Sequence, residues 1–285
     1  MTWQGYNVLR LIAVLILLVW NWTIAILPAR AQGWSHGPLQ WEEVGKGLRF
    51  AKLTVSETNQ GIGFLFVVYI DPNFNAFRIF HGQPQSIIEW QESTGALVVF
   101  NASYFRPNDE PCGLIIADGE LTGPLHNSAM RGMFVSEPKG ISPDLPRATI
   151  LDLTVAKIQP KNLPWTQGVQ SFPLLLDSQG RIRVKKTSLM APRTVICTDH
   201  KGNILVFNSP DKYFTLYELA GFLKSSEFEI DTALNLDGGS MAQLMVKTSE
   251  FNFSSPSFLE RQARGLIDPR MVLLPTVIGV FPRHH

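Results

Sequence analysis

Short apolar runs separated by tight polar turns recur along this chain, and they constrain its fold more than any other feature. Apolar arms flank the dipeptide Asp118-Gly119, which is typical of a two-residue hairpin turn. The apolar runs 172–177 and 193–198 are likewise followed, after a short polar turn containing glycine, by another strand-like run. Because hairpins join neighbouring antiparallel strands, this pattern predicts a mixed, largely antiparallel β-sheet core.

Two helices can be placed among these strands. Ser86 with Glu89, and Thr215 with Glu218, have the spacing of a capping box, in which two residues satisfy each other's backbone N–H groups at the start of a helix. The stretch 138–170 contains five prolines and no clean periodicity, so we expect a long surface excursion there. Hairpins with a few helices predict a single α+β domain.

The first 31 residues differ from the rest of the chain. Arg10 precedes a nearly continuous apolar run over 11–27, and a small-x-small sequence follows at 29–31. This is the arrangement of a secretory signal peptide, so we expect cleavage after Ala31, a mature chain that begins at Gln32, and a secreted or periplasmic protein. An uncleaved membrane anchor is the alternative, since the apolar run borders on the length of a spanning helix.

The expected organisation is a signal peptide at 1–31, a lead-in segment at 32–54 and one domain at 55–285. No later apolar stretch approaches spanning length, so membrane contact is expected only through the N-terminal segment. Lys and Arg number 25 against 24 Asp and Glu, with no long run of one sign. Capture of nucleic acid needs many clustered cations and is not expected, so any bound anion must be held by a few placed groups.

The chain has two cysteines, Cys112 and Cys197. Their spacing excludes a CxxC zinc or redox motif. Export would permit a disulfide between them, and two small unpaired thiols are the alternative, which we favour. The six histidines show no metal-ligand spacing, so no metal or other cofactor is expected.

Two candidate site segments lie where polar side chains meet an apolar run. Five apolar residues are followed by the polar residues Asn101, Ser103, Tyr104 and Arg106, and a strand that leaves the core in this way presents such side chains at a sheet edge. An Asn that begins a turn is the alternative. Arg193 follows Pro192, whose ring stiffens the approach, and its planar guanidinium suits phosphate or carboxylate. A surface arginine at the end of a hairpin is the alternative there.

The strongest signal is the loop Asp237-Gly238-Gly239-Ser240, which follows an apolar strand. Its two glycines let the backbone bend tightly and approach a ligand closely, and its serine adds a hydroxyl and backbone donors. An ordinary Asp-Gly hairpin turn would explain the first two residues of the loop. It would not explain Asn235, the second glycine and the serine together, so we expect a functional site here.

Four segments of this chain resemble the phosphodiester glycosidase family and occur in the same order as in that family. They are NASYF at 101–105, PRT at 192–194, TLYELAGFLK at 215–224 and NLDGGS at 235–240. The resemblance covers about residues 55 to 281. Many members carry a Gly-rich NGGFF-like segment and a third glycine in DGGGS, where this chain has Ala-Ser after Asn101 and two glycines. These departures bear on substrate identity more than on the family.

The resemblance implies an exported hydrolase that cleaves the bond between a sugar's anomeric carbon and a phosphate oxygen. The products would be the sugar and a phosphate monoester, and the expected partner is a sugar phosphodiester or a related glycan. The catalytic residues that the resemblance implies are Asp237, Arg193 and Asn101. The substrate-binding residues that it implies are Tyr104, Gly238, Gly239 and Ser240.

The chemistry of such a reaction assigns these residues separate tasks. A phosphate monoester has a second pKa of about 6 and leaves readily, so strong general-acid help is less necessary than in ordinary glycosidases. Arg193 would hold the anion, Asp237 would stabilise an oxocarbenium-like centre or activate water, and Asn101 would orient a sugar hydroxyl. The N–H groups of the Gly-rich loop would add to phosphate binding.

Two other function classes remain as alternatives. A binding protein would recognise envelope or polysaccharide sugar phosphates in the same pocket without cleaving them, but it has less need of a carboxylate beside an anion. A metal-dependent phosphodiesterase would break the P–O bond and would need several His or Asp ligands. Glu120 and His126 are further polar residues near the first hairpin, and a solvated surface position is expected for both.

Overall fold

The computed structural model of the chain describes residues 33–57, 61–140, 145–156, 159, 162–256 and 272–283. The predicted signal segment at 1–31 and its cleavage site lie outside the described residues, so secretion stays a prediction. Within the described ranges, no helix is both long and apolar enough to cross a membrane.

Strands make up most of the described chain. In chain order they are β1 (Ser35–His36), β2 (Glu42–Gly45), β3 (Leu48–Glu57), β4 (Gly61–Ile70), β5 (Asn75–Gln85), β6 (Val98–Asn101), β7 (Ile115–Ala117), β8 (Glu120–Thr122), β9 (Gly132–Pro138), β10 (Ala148–Asp152), β11 (Trp165–Ser171), β12 (Leu174–Leu176), β13 (Arg193–Asp199), β14 (Ile204–Ser209), β15 (Ile230–Asn235), β16 (Leu244–Lys247), β17 (Asn252–Ser255) and β18 (Leu274–Pro282). The helices are α1 (Ile87–Thr94) and α2 (Leu216–Ser225), and a 3₁₀ turn occupies Gly239–Met241.

The strands form three sheets. The large sheet has eight strands in the order β1-β3-β4-β14-β13-β15-β12, with β2 pairing against β3. The second sheet has the order β10-β9-β11-β7-β8, and the third has the order β17-β16-β6-β18-β5. Every strand pairing in the described part of the chain is antiparallel, so the predicted α+β class with a largely antiparallel core is confirmed.

Both predicted helices begin where their capping boxes place them. The Ser86 side chain accepts a hydrogen bond from the backbone N–H of Glu89, and the Glu89 carboxylate accepts one from the N–H of Ser86. The same reciprocal bonds join Thr215 and Glu218 at the start of α2. Helix α1 ends at Gly95, whose φ of 69° is in the left-handed region that glycine adopts without steric cost.

The central core lies between the three sheets. One apolar cluster contains Phe66 and Ile196 from the large sheet, Phe134 from the second sheet, and Phe100 and Ile278 from the third. Burying a side chain of this size contributes roughly 1.5–3 kcal/mol, so this cluster holds the sheets together. Helix α2 covers the outer face of the large sheet, and α1 covers the outer face of the third.

The prediction of a surface excursion over 138–170 is wrong. This stretch contains β10 and nearly all of β11, which is the middle strand of the second sheet. The buried side chains of Gln167 and Gln170 accept hydrogen bonds from the backbone N–H groups of Ile79 and Leu114, each at 2.8 Å. Polar residues at core positions hide the alternation by which a strand is recognised in a sequence.

The segment expected as a lead-in belongs to the large sheet. Strands β1, β2 and most of β3 lie within 33–54, and Trp34 and Trp41 pack against the cluster under α2. Both cysteines are free thiols. Cys197 is buried in β13, where burial raises the pKa of its thiol, whereas Cys112 is half-buried in the loop between β6 and β7.

Candidate active site

Three strand ends meet at the candidate site. Strand β6 of the third sheet ends at Asn101, β13 of the large sheet begins at Arg193, and β15 ends at Asn235. The loop after β15 lies against the end of β6, because the N–H of Asp237 donates to the carbonyl of Ala102 at 3.0 Å. Two different sheets therefore bring these residues together, although they are far apart in the sequence.

The side chain of Asn101 is buried, and its hydrogen-bonding groups are occupied by the protein itself. Its Nδ2 donates to the carbonyl of Asp237 at 2.8 Å and to that of Ala102 at 3.3 Å. Its Oδ1 accepts from Thr194 Oγ1 at 2.7 Å and from the N–H of Gln243 at 3.1 Å. An amide side chain has about two donor hydrogens and two acceptor lone pairs, so Asn101 has no group left for a sugar hydroxyl.

Asn101 is one end of a buried polar chain that also contains Thr194, Asn208 and Ser255. Ser255 Oγ donates to Asn208 Oδ1 at 2.5 Å, and Asn208 Nδ2 donates to Thr194 Oγ1 at 3.1 Å. Each of these residues is at most 1% exposed, so no water replaces a lost partner easily. Leaving one such group unsatisfied costs about 1–3 kcal/mol, and the chain therefore fixes the base of the site between the two sheets.

The two glycines after Asp237 have separate reasons to lack a side chain. A Cβ atom on Gly238 would lie 3.0 Å from the carbonyl oxygen of Pro192 and 3.3 Å from Arg193 Nη1. Gly239 has a φ of 64°, in the left-handed region, and its N–H donates to the carbonyl of Pro192 at 3.0 Å. The loop is therefore packed directly against the segment that carries the arginine.

The backbone donors of this loop are partly used within the protein. The N–H of Gly238 donates to Asp237 Oδ1 at 2.8 Å, and the N–H of Gly239 is taken by Pro192. The sequence-based expectation that both groups point at a phosphate therefore has no support in this geometry. Ser240 is exposed in the 3₁₀ turn, so its hydroxyl is accessible to a ligand.

Arg193 is a buried cation that has no carboxylate partner among the described residues. Only 7% of the residue is exposed. Its Nη2 donates to the carbonyl of Leu189 at 3.3 Å, while its buried Nε has no hydrogen-bond partner in the described structure. Burial lowers its pKa, and the nearby Tyr104 opposes this effect. A guanidinium with unused donors is suited to bidentate binding of phosphate or carboxylate.

Asp237 is the partly buried carboxylate of the site. Burial raises its pKa to about 6, although the hydrogen bond from the N–H of Gly238 acts in the opposite direction. A carboxylate with a pKa this high changes its protonation state in the pH range in which hydrolases work. Such a shift is typical of functional groups, because a carboxylate with a structural role is usually better supplied with hydrogen-bond donors.

Tyr104 stands in the same electrostatic environment as the other two residues. Burial and Asp237 raise its pKa, while Arg193 and the hydrogen bond from Asn235 lower it, and the net shift is upward. Asn235 Nδ2 donates to the hydroxyl oxygen at 2.7 Å, which leaves the hydroxyl proton free to be donated elsewhere. Tyr104 is therefore a neutral hydrogen-bond donor close to Asp237 and Arg193.

No signal in the sequence marks three further residues that build the site. Asn208 and Ser255 are ordinary polar residues of strands, and only their burial reveals the polar chain. The sequence pattern indicates that Phe172 is the first residue of an apolar strand. In the structure it is 37% exposed, and its ring packs against that of Tyr104 with the centroids 4.6 Å apart. These roles depend on contacts that no local pattern encodes.

Other polar candidates lie away from this arrangement. Glu120 in β8 and His126 in the loop after it are both exposed, as predicted. Throughout the described ranges, no three His, Cys, Asp or Glu side chains gather as metal ligands.

Residues 94–281 match the family model for phosphodiester glycosidases, and this range is more than half of the chain. The chain belongs to the phosphodiester glycosidase family. The matched range of this phosphodiester glycosidase includes Asn101, Arg193 and Asp237 together with the segments around them. No curated protein matches the sequence.

Two solved structures are similar to this chain in fold. One is the catalytic domain of zebrafish N-acetylglucosamine-1-phosphodiester alpha-N-acetylglucosaminidase, auto-inhibited by its pro-peptide, with a TM-score of 0.57, 17% identity, and coverage of 88% of this chain and 89% of that one. The other is a hypothetical protein from Synechocystis, with a TM-score of 0.56, 15% identity and coverage of 87% of this chain. This chain spans 64% of the Synechocystis protein. At these identities the likeness concerns the fold alone.

Proposed function

We propose that this chain is an exported glycosidase that hydrolyses a sugar-1-phosphodiester into the sugar and a phosphate monoester. The observation that carries the proposal is a buried arginine packed against the loop that contains a carboxylate with a raised pKa. Arg193 has no carboxylate partner among the described residues, and the pKa of Asp237 is about 6. A buried cation favours binding of an anion, and a nearby carboxylate favours chemistry at a carbon that becomes positive.

Arg193 binds the phosphate of the substrate. The terminal nitrogens of its planar guanidinium are the donors for phosphate oxygens, while its Nε is buried and has no partner in the described structure. The bound anion also compensates a positive charge that is otherwise buried without a counter-ion. Negative charge grows on the phosphate as the glycosidic bond breaks, so this contact strengthens toward the transition state and raises the rate.

Asp237 acts in its ionised form, which predominates above a pH of about 6. Its negative charge stabilises the oxocarbenium-like centre or activates the attacking water. Asn101 donates to the backbone carbonyl of Asp237 at 2.8 Å and has no free group of its own. We therefore assign Asn101 a positioning role in place of the expected contact with a sugar hydroxyl.

Tyr104 donates a hydrogen bond to the departing phosphate oxygen. Its raised pKa keeps the hydroxyl protonated, and Asn235 orients it by donating to the same oxygen at 2.7 Å. Full proton transfer is unnecessary, because a phosphate monoester with a second pKa of about 6 is a good leaving group. A hydrogen bond in a partly buried site is enough to stabilise the developing charge.

Hydrolysis of a synthetic sugar-1-phosphodiester in oxygen-18 water tests the proposal. Cleavage of the bond between the anomeric carbon and oxygen places the label in the sugar, whereas cleavage of the P–O bond places it in the phosphate. We expect labelled sugar and an unlabelled phosphate monoester from the purified protein. Label in the phosphate would identify a phosphodiesterase instead.

The alternative is a binding protein for envelope or polysaccharide sugar phosphates. Such a protein would use Arg193 but would gain nothing from Asp237, because a carboxylate beside a bound anion weakens binding. Saturable binding of the diester in a calorimetric titration, with no product in the oxygen-18 assay, would favour this alternative. The presence of the carboxylate supports the enzyme.

A further inference from the structure

A cleft lies next to the candidate active site, on the other side of a ring that packs against Tyr104. We call it the Phe172 cleft. Its volume is about 290 Å³, and its wall includes Arg131, Asp152, Thr154, Phe172, Pro173 and Arg183. Small-molecule sites commonly occupy about 300–1,000 Å³, so this cleft has room for one small ring with its substituents.

Phe172 belongs to both the cleft and the active site. Its ring packs against that of Tyr104 with the centroids 4.6 Å apart, and its carbonyl accepts a hydrogen bond from Asn235 Nδ2 at 3.2 Å. The carbonyl of Pro173 accepts from the N–H of Asn235 at 3.0 Å. Asn235 thus fixes both Tyr104 and the aromatic wall of the cleft. A group bound in the cleft therefore lies beside Tyr104, the residue that we propose donates a hydrogen bond to the departing phosphate.

Most polar groups of the cleft are already paired with one another. Arg183 Nη1 donates to Asp152 at 3.1 Å and to Asp177 at 2.9 Å. Asp152 Oδ1 accepts from the N–H of Thr154 at 2.9 Å and from its hydroxyl at 2.6 Å. This part of the wall is therefore rigid and has little remaining capacity for a ligand.

Arg131 differs from the rest of the wall. Its Nε donates to the carbonyl of Ser128 at 3.3 Å, and it has no carboxylate partner in the described part of the chain. Its terminal nitrogens are consequently available to a ligand. The cleft and its direct partners contain three arginines and two aspartates, a net charge of 3 − 2 = +1: Arg131, Arg181, Arg183, Asp152 and Asp177. This balance favours an anionic ligand.

We propose that the Phe172 cleft binds an acidic sugar in the aglycone of the substrate. The ring packs on Phe172, and the anionic group binds the guanidinium of Arg131. The C–H groups on one face of a sugar ring are apolar enough to pack on an aromatic side chain, and a carboxylate matches the planar donors of arginine. The proposal rests on the proposed glycosidase function, since the cleft would hold the far side of the same phosphodiester.

Three synthetic diesters of one sugar 1-phosphate test this proposal. Their aglycones are methanol, glucose linked through O4, and glucuronic acid linked through O4. We expect kcat/KM to be about tenfold higher for the glucuronic acid diester than for the glucose diester, which corresponds to about 1.4 kcal/mol. The variant Arg131→Gln should remove this preference. Lys201→Gln, at the opposite end of β13 from Arg193, removes a surface charge far from the site and should retain it.

Equal kcat/KM values for the two sugar diesters, or a preference that survives Arg131→Gln, would overturn the assignment of the cleft. The methyl diester is too small to fill the cleft and reports on the glycosidase function itself. If none of the three diesters is hydrolysed, that function fails, and titrations followed by NMR with methyl glucuronide and methyl glucoside test the cleft separately. Tighter binding of the glucuronide that depends on Arg131 would support the proposal that the Phe172 cleft binds an acidic sugar, and equal binding of the two glycosides would overturn it.

Discussion

Two largely buried arginines show two ways in which this fold holds a charge. Arg283 donates from both terminal nitrogens to the Glu137 carboxylate, each at 2.8 Å, and from Nε to the carbonyl of Pro72 at 3.2 Å. The side chain of Arg193 makes one hydrogen bond in the described structure, to the carbonyl of Leu189, and has no carboxylate partner there. The paired arginine ties the end of β18 to β9, whereas the other is buried without a carboxylate partner in the described structure, which is the basis for proposing that it binds a ligand.

The same contrast separates two aspartates. Burial raises the pKa of Asp177, but hydrogen bonds from the backbone and from Arg183 and Arg181 outweigh it and lower the pKa to about 2. Asp237 experiences the same effect of burial with only the N–H of Gly238 against it, so its pKa is about 6. A charge with a full set of partners stabilises the fold. One that is left short of partners costs stability and is available for chemistry.

The largest effect is expected when the charge of Asp237 is removed. Asp237→Asn keeps the shape of the side chain, so kcat should fall on the order of a hundredfold or more. KM should stay the same or decrease, because a repulsion with the anionic substrate disappears. Steady-state kinetics on a sugar-1-phosphodiester measure both. Asp199→Asn, in a hydrogen-bonded turn at the other end of β13, is the matched control and should retain kcat. Near-normal kcat in Asp237→Asn would mean that the carboxylate only shapes its loop.

The next largest effect separates the two arginines. Arg193→Lys keeps the charge and loses the planar set of donors, so kcat/KM should fall about 10- to 100-fold, as expected for lost hydrogen bonds to a charged group. Both KM and kcat should change, because the phosphate gains charge in the transition state. Arg283→Lys should instead lower the melting temperature and leave the kcat of the folded protein intact. If Arg193→Lys changes the stability of the protein but neither kcat nor KM, Arg193 does not bind the phosphate.

Local signals explain which parts of the fold are predictable from the sequence. The capping boxes at Ser86 and Thr215 and the turn at Asp118 act within a few residues, and the structure contains the helices and the hairpin that they predict. Strand β11 was not predictable in this way. Gln167 and Gln170 are buried there because their partners come from other parts of the chain, 88 and 56 residues away.

The candidate site follows the same rule. The polar residues at the ends of apolar runs indicate where Asn101, Arg193 and Asp237 lie. The part played by Asn101 was not predictable, because its amide is occupied by Thr194 and Gln243, which are 93 and 142 residues away in the sequence. A motif therefore predicts the position of a side chain better than its free hydrogen-bonding capacity.

The dependence of activity on pH tests the raised pKa of Asp237. If the ionised carboxylate is required, kcat/KM should fall about tenfold per pH unit below the pKa of about 6 and reach a plateau above it. The fall of kcat at low pH, which reports on the enzyme–substrate complex, should begin at a higher pH than that of kcat/KM, because bound phosphate disfavours a second negative charge nearby. Tyr104→Phe should lower the plateau value of kcat/KM and leave the pH at which kcat/KM falls unchanged. If kcat/KM instead fell as the pH rose through about 6, Asp237 would act as a proton donor.

The smallest expected effect concerns stability and has opposite signs at the two aspartates. The folded-state pKa of Asp237, about 6, is above its ordinary value of 3.8, so its contribution to stability is fully present below 3.8 and is lost as the pH rises through 6. The folded-state pKa of Asp177, about 2, is below 3.8, so its contribution is present above 3.8 and is lost as the pH falls through 2. At neutral pH, one ionised carboxylate destabilises the fold and the other stabilises it.

Urea denaturation measures this difference. At a pH of about 7.5, Asp237→Asn should raise the free energy of unfolding by on the order of 3 kcal/mol, since one pKa unit is worth about 1.4 kcal/mol and the pKa rises from 3.8 to about 6. The gain should disappear at a pH of about 2.5, well below the ordinary pKa of 3.8, where the carboxyl is protonated in both states. Asp177→Asn should lower stability at the higher pH, because its arginines lose a charged partner. If Asp237→Asn is no more stable than the wild type at neutral pH, water already solvates that carboxylate in the free protein. The contrast with Asp177 would then have to rest on hydrogen bonds alone.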